Sequence, residues 1–204
     1  GYLNIAGDPE ADRCARAVPD PASDACWSPL SGDQIGSLLG EFLASRGMKG
    51  SLANSIVSSR LLSRIASAHG LEHHTTLTGF KWIARAPGLG FGYEEAIGFC
   101  PDPGNVRDKD GIATSVVAAS LVAALKAQGR SVWDELERLA RLHGLHVSSP
   151  LTFRVEQIEQ IASGMARLRA QPPSVLAGSP GVEVSELSQG YRGLPPTDGV
   201  LVLS

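Results

Sequence analysis

Apolar positions recur along this chain at two different spacings. After Ser31-Gly32-Asp33-Gln34, which has capping-box spacing, Ile35, Leu38, Leu39, Phe42 and Leu43 repeat at i, i+3, i+4, i+7 and i+8. That pattern predicts an amphipathic helix ending at Gly47. A second helix starts at Ser59, carries Leu61, Leu62 and Ile65 on one face, and ends at Gly70. Short apolar runs at Tyr2–Ala6, Cys14–Val18, Leu52–Val57, Glu72–Leu77 and Ile97–Cys100 suit strands, the first of them a buried one. Pro19–Pro29 and Pro101–Arg107 read as loops.

Asp108–Gln128 is Ala-rich and predicts a long helix, with Ile112, Val116, Ser120, Leu121, Ala124 and Leu125 towards the core. Ser131–His143 is the next helix, with Ser131 and Asp134 at its start. Leu151–Arg154 reads as a strand or linker. Val155–Arg169 is a helix carrying Val155, Ile158, Ile161, Met165 and Leu168, stopped by Pro172-Pro173. Val182–Val184 and Val200–Leu203 look like strands. Strands alternating with helices of this length predict an α/β domain from about Leu30 to Ser149.

Composition narrows the function classes. The chain has 204 residues, 43% hydrophobic and 19% charged, as in an ordinary soluble globular protein. A net charge of -3 and the lack of a basic run argue against nucleic acid as a partner. No apolar run reaches membrane-spanning length, so no membrane partner is expected. The first residues do not have the pattern of a signal peptide. Cys14, Cys26 and Cys100 are odd in number and widely spaced, which suits reduced thiols in a cytoplasmic protein.

The richest stretch chemically is Leu77–Gly98, LTGFKWIARAPGLGFGYEEAIG. It reads as a short helix between two loops, with Lys81, five glycines and the adjacent pair Glu94-Glu95. Glycine allows close backbone approach, carboxylates accept from hydroxyl groups, and lysine meets phosphate as a point charge. Such a mixture suits a polyhydroxylated, charged ligand, or else a polar surface loop. Asp8, Glu10 and Asp12 alternate beyond a strand end and could converge on a hard cation such as Mg2+, or form a solvated acidic turn. Lys109 opens the long helix beside free N–H groups, a place that suits an anion. The glycines at 88–92 lack the spacing of a dinucleotide fingerprint. His73-His74 point to opposite faces of a strand, and structural or solvated roles are expected for all five histidines.

Taken in order, GDPEADR, LSGDQIG, LTGFKWI, GFGYEEAIG and VRDKDGI resemble the α-D-phosphohexomutase superfamily, and within it the bacterial phosphomannomutase/phosphoglucomutase branch. The resemblance implies a mixed-sheet, three-layer α/β/α domain at residues 30–149. Flanking it would be the end of a metal-loop domain at 1–29 and a linker with the start of a fourth domain at 150–204. It implies a Mg2+-dependent isomerase moving phosphate between C1 and C6 of a hexose phosphate through a phosphoserine and a hexose 1,6-bisphosphate. By this resemblance Asp8, Glu10 and Asp12 fall on the metal loop. Arg13 and Lys109 fall on catalytic positions, and Thr78, Gly79, Lys81, Glu94 and Ala96 on the sugar-binding set.

Three departures from the family pattern stand out. Glu10 replaces the usual aspartate, Ala96 replaces a common serine, and Arg16 puts a charge inside an apolar strand. The phosphoserine motif and the Arg-Pro-Ser-Gly-Thr phosphate loop are absent from the 204 residues. The expected picture is therefore an internal fragment, inactive alone, whose partners are the missing domains of a full-length enzyme. A truncated, non-enzymatic remnant that binds sugar phosphate weakly or not at all is the alternative. An unrelated nucleotide-binding α/β module is a third possibility.

Overall fold

The computed structural model describes residues 2–176, 178–180, 183–197 and 201–203. The chain forms two compact units, Gly1–Ser148 and Ser149–Ser204.

The first unit starts with an antiparallel sheet in the order β1-β2-β3, made of β1 (Asn4–Gly7), β2 (Cys14–Pro19) and β3 (Trp27–Pro29). β1 is an exposed edge, not the buried strand expected from its apolar letters. β3 falls inside the stretch read as loop. It pairs through Ala17↔Pro29, Val18↔Ser28 and Pro19↔Trp27 despite its proline, which sits at the end of an edge strand, where prolines are tolerated.

The second sheet has the order β5-β4-β6-β7, from β4 (Ser51–Ser55), β5 (His73–Thr76), β6 (Leu89–Glu94) and β7 (Gly98–Cys100). β4 pairs parallel with β5 and β6, and β6 pairs antiparallel with β7, so the sheet is mixed. Its two faces are separate cores. Leu52, Phe91, Tyr93 and Phe99 point to the side covered by α1 (Gly32–Ser45), α2 (Leu61–Ala68), α4 (Gly111–Ala127) and α5 (Val132–His143). Ala53, Leu89 and Cys100 point to the other side, where Phe80 and Ile83 of the one-turn helix α3 (Phe80–Ile83) pack with Ala86. The fold is α/β in three layers, with one helical layer far thinner than the other.

α1 explains how the sheet is covered. Both hydrogen bonds of its capping box form: Ser31 Oγ accepts from Gln34 N–H, and Gln34 Oε1 accepts from Ser31 N–H. Gly32, Gly36 and Gly40 form a stripe at i, i+4 and i+8. A Cβ on Gly36 would lie 2.5 Å from the Tyr93 ring, and one on Gly40 2.6 Å from Leu62 Cδ1. The stripe lets the helix backbone rest directly on β6, where Tyr93 and Phe91 are fully buried. Each such side chain contributes roughly 1.5–3 kcal/mol by burial.

The same interface is pinned by polar groups. Tyr93 Oη donates to Asp33 Oδ1 (2.8 Å), which also accepts from Ser59 N–H (2.7 Å). Asn54 Nδ2 donates to Tyr93 Oη (3.2 Å), and Asn54 Oδ1 meets His73 Nε2 (3.0 Å). Ser148 Oγ donates to the second Asp33 oxygen.

Two expectations are corrected here. In α4 the buried positions are Thr114, Ala118, Leu121 and Leu125, while Ile112 and Val116 are exposed. Leu77–Gly98 is not a helix between loops: its second half is the buried strand β6 and the turn into β7.

The second unit contains α6 (Glu159–Ala170), the short hairpins β8 (Val175–Leu176) with β9 (Ser179–Pro180) and β10 (Val184–Glu186) with β11 (Leu201–Leu203), and a 3-10 turn at Leu187–Gln189. The predicted strand residues Val182 and Val200 lie outside the described residues. Leu151–Arg154 forms no strand. α6 buries none of its residues, and Leu187 is the buried residue among those described in this unit.

Candidate functional site

The β6–β7 hairpin places the site. Glu94 pairs with Gly98, leaving Glu95, Ala96 and Ile97 as a three-residue turn. The third residue of such a turn usually adopts the left-handed conformation, which favours glycine. Here it is Ile97, at φ 58°. A β-branched residue there stores strain, so the surroundings must hold the turn.

The acidic loop reaches the same turn. Arg13 forms an isolated antiparallel bridge with Gly98, and Cys14 N–H donates to Ile97 O (3.2 Å). Arg13 Nη2 lies 3.2 Å from Glu94 Oε1, and Arg13 Nη1 donates to Ala96 O (2.6 Å). Lys109 completes the cluster, with Nζ 3.3 Å from Asp12 Oδ2, 3.3 Å from Asp108 Oδ1 and 5.3 Å from the centre of the Phe80 ring. The packing leaves no room for extra atoms. A Cβ on Gly98 would meet Lys109 Cδ at 2.7 Å and Glu94 Oε1 at 2.9 Å, and one on Gly111 would meet Ala11 O at 2.5 Å.

Glu94 is 7% exposed. Burial raises its carboxyl above the ordinary range, against the opposing pull of Arg13 and then Lys109. Lys109 is raised: burial works against its charge, and Asp108 and Asp12 more than offset that cost. Asp8 is lowered, first by the Arg13 N–H that donates to its Oδ1 (3.0 Å). A half-buried carboxylate between two cations can accept hydroxyl groups, and the two cations can face an anion.

Of the residues singled out in the sequence, Asp12, Arg13, Glu94, Ala96 and Lys109 come together. Asp8 joins them through Arg13. Thr78, Gly79 and Lys81 lie at the start of α3, and the same turn brings Phe80 under Lys109. Lys81 itself is exposed, 5.8 Å from the Trp82 ring centre.

The metal set is not gathered. Among the described residues no group of three His, Cys, Asp or Glu is arranged to hold an ion. Asp8 is turned to Arg13, Asp12 is turned to Lys109, and Glu10 is exposed. As a donor set, however, three carboxylates on one turn match the oxygen ligands that Mg2+ takes.

Sequence reasoning treated Glu95 as a twin of Glu94, and the structure separates them. Glu95 Oε2 accepts from Ser55 Oγ and Ser58 Oγ, both at 2.9 Å. A signal was present: side chains alternate in direction beyond a strand end. Arg16, flagged as a costly charge, is 4% exposed. Its Nη1 donates to Cys14 O (2.9 Å) and it lies 5.4 Å from the Phe99 ring centre, but Nε and Nη2 have no hydrogen-bond partner among the described residues. Burial lowers its pKa. A separate cleft of about 500 Å³, lined by Tyr2, Val18, Lys126, Arg130 and Trp133 among others, shares no residue with this cluster.

Residues 31–142, more than half of the chain, match the model of phosphoglucomutase/phosphomannomutase, alpha/beta/alpha domain III. The chain belongs to the phosphoglucomutase/phosphomannomutase family. It is 43% identical over 176 residues to the probable phosphomannomutase of Haemophilus influenzae, covering 85% of this chain and 36% of that protein. It is 34% identical over 169 residues to the phosphopentomutase of Mus musculus, covering 73% of this chain and 26% of that protein. Among solved structures, a Thermus thermophilus protein assigned as a phosphomannomutase aligns over 70% of this chain and 31% of its own, with TM-score 0.61 and 26% identity. The fold is shared with an Aspergillus fumigatus N-acetylphosphoglucosamine mutase solved with glucose 1,6-bisphosphate (TM-score 0.53, 13% identity, 82% of this chain, 40% of that one). The chain thus spans about a third of the length of these relatives.

Proposed function

We propose that this chain carries the acidic loop and the sugar-recognition domain of a phosphohexomutase that moves phosphate between C1 and C6 of mannose or glucose. The observation that carries the proposal is convergence. GDPEADR, GFGYEEAIG and VRDKDGI are far apart in sequence, yet Arg13 touches Glu94 and Lys109 touches Asp12. In this reading Glu94 accepts from the sugar hydroxyls, and Thr78, Gly79 and Lys81 border the ring. Ala96 lines the site without offering a hydroxyl. Arg13 and Lys109 face the phosphate, and Lys109 assists proton handling. Phosphate donation by a phosphoserine and the return of a hexose 1,6-bisphosphate need groups that these 204 residues do not contain, so the chain alone is proposed to be inactive.

Asp8, Glu10 and Asp12 would hold Mg2+, which when bound offsets negative charge on the transferring phosphate. Because Glu10 is one methylene longer than aspartate, Glu10→Asp is the variant to compare in a metal titration. Equal affinity would dismiss any cost of the longer side chain. The three cysteines are free, which supports a reducing compartment, proposed here as the cytoplasm.

The test has two parts. Calorimetry with mannose 1-phosphate and glucose 1-phosphate, with Mg2+ present, is expected to give weak saturable binding that Glu94→Ala removes. A coupled mutase assay with added hexose bisphosphate is expected to give no turnover. Binding that survives Glu94→Ala would reject the site, and clear turnover would reject the claim of inactivity. A complete lack of binding would favour the remnant reading. Because the mouse relative is a phosphopentomutase and Ala96 lacks a hydroxyl, ribose 1-phosphate belongs in the same titration. Tighter binding of ribose 1-phosphate would move the substrate class from hexose to pentose.

A further inference from the structure

The two adjacent glutamates hold opposite sides of one turn. Glu94 and the Ala96 carbonyl face Arg13, while the Glu95 side chain turns back onto the end of β4. There Ser55 and Ser58, themselves 2.8 Å apart, both contact Glu95 Oε2, and Glu95 N–H donates to Ser58 Oγ (3.2 Å). From a third side the first turn of α1 presses on the same residue. A Cβ on Gly32 would collide with the Glu95 carbonyl, so only glycine lets the helix start there. The turn being held includes Ile97 at φ 58°, a conformation it would not keep unaided.

We propose that Glu95 is the positioning residue of the sugar site. Its carboxylate, clamped by Ser55 and Ser58, fixes the 95–97 turn so that Glu94 and the Ala96 carbonyl both reach Arg13. This rests on the site reading above, but it also makes a claim about geometry that needs no ligand. Glu95 does not touch substrate. It acts through hydrogen bonds accepted, and its charge is secondary.

That distinction sets the experiment. An amide oxygen can accept from two hydroxyl groups as a carboxylate oxygen does. Glu95→Gln therefore keeps the clamp, Glu95→Ala removes it, and the double variant Ser55→Ala/Ser58→Ala removes it while leaving the charge. Two readouts are taken on the full chain: the side-chain NMR signals of the Arg13 guanidinium, which its two partners slow in exchange and rotation, and calorimetry with mannose 1-phosphate.

Glu95→Ala and the double serine variant are expected to lose the slowed Arg13 signals and to weaken binding by about tenfold, the size of one lost hydrogen-bonded contact. Glu95→Gln is expected to recover both. Ser58→Ala alone removes only one hydroxyl and gives an intermediate result should the double variant fail to fold. The proposal is overturned if Arg13 is unchanged in Glu95→Ala. It is equally overturned if Glu95→Gln loses binding as fully as Glu95→Ala with Arg13 intact, since that would make Glu95 a direct ligand. If the parent binds no sugar phosphate, the site reading fails, and the Arg13 signals still decide whether Glu95 positions the turn.

Discussion

α1 and α6 look alike as patterns and differ completely as structures. Both carry apolar residues at helical spacing. α1 buries Ile35, Leu38 and Leu39 together with its glycine stripe, while α6 buries nothing. The difference lies in what each helix meets. α1 lies on a four-stranded sheet whose central strand offers Phe91 and Tyr93. α6 is accompanied by hairpins of two or three residues per strand, and Phe153, Val155, Ile161, Met165 and Leu168 line an open cleft of about 880 Å³. An apolar stripe states which face of a helix seeks a partner; it does not supply one.

The largest effect that would sharpen this contrast is at the glycine stripe. Gly36→Val pushes its side chain into the Tyr93 ring and is expected to cost roughly 3 kcal/mol or more, the upper range for overpacking. Chemical denaturation followed by tryptophan fluorescence measures it. A loss below about 1 kcal/mol would mean that α1 does not rest on β6 as described.

A second effect of similar order comes from pH. His73 is lowered to about 4, first by burial and then by the neighbouring His74. Its ordinary value is about 6.5, so between these limits the unfolded chain binds the extra proton. The resulting stability is full above about pH 6.5 and is lost as pH falls towards 4, up to roughly 3 kcal/mol. The difference between the parent and His73→Gln across that range isolates this group from Glu94, whose raised carboxyl acts in the opposite direction. A flat difference would remove His73 from the buried chain with Asn54 and Tyr93.

Hydrogen exchange gives the third comparison. Amides of α1 and β6 are expected to exchange only with global opening, and those of α6 by local opening, about a hundredfold or more faster. Equal protection would show that α6 has a partner. The smallest effect is the mirror image of the first. Gly164 in α6 has open space around it, so Gly164→Ala is expected to stabilise that helix by about 0.5–1 kcal/mol. A destabilisation would reveal packing there.

Much of this was legible in the letters. Both caps, at Ser31 and Ser131, could be read from spacing because they depend on residues three apart. The strand–helix alternation followed from period alone. What escaped was set by tertiary contact. β6 reads as a loop because of Gly88, Gly90 and Gly92. Yet a Cβ on Gly92 would meet Ile83 at 2.5 Å, so that glycine marks close packing. The face of α4 was misassigned because alanine is apolar on every side and leaves the phase open, and the chain buries Thr114 and Ala118 in place of Ile112 and Val116. In the site, Glu94 and Lys109 were found through family resemblance. Glu95 could be separated from Glu94 only once Ser55 and Ser58 were seen beneath it.

The central claim is that Arg13, Glu94, Ala96 and Lys109 form one sugar-phosphate site. The most direct measurement is a two-dimensional NMR titration of the isotope-labelled chain with mannose 1-phosphate. Shifts are predicted to concentrate at Arg13, Glu94–Gly98 and Lys109, with smaller ones at Thr78 and Gly79. Shifts concentrated instead at Tyr2, Lys126 and Trp133, around the separate cleft, would contradict it.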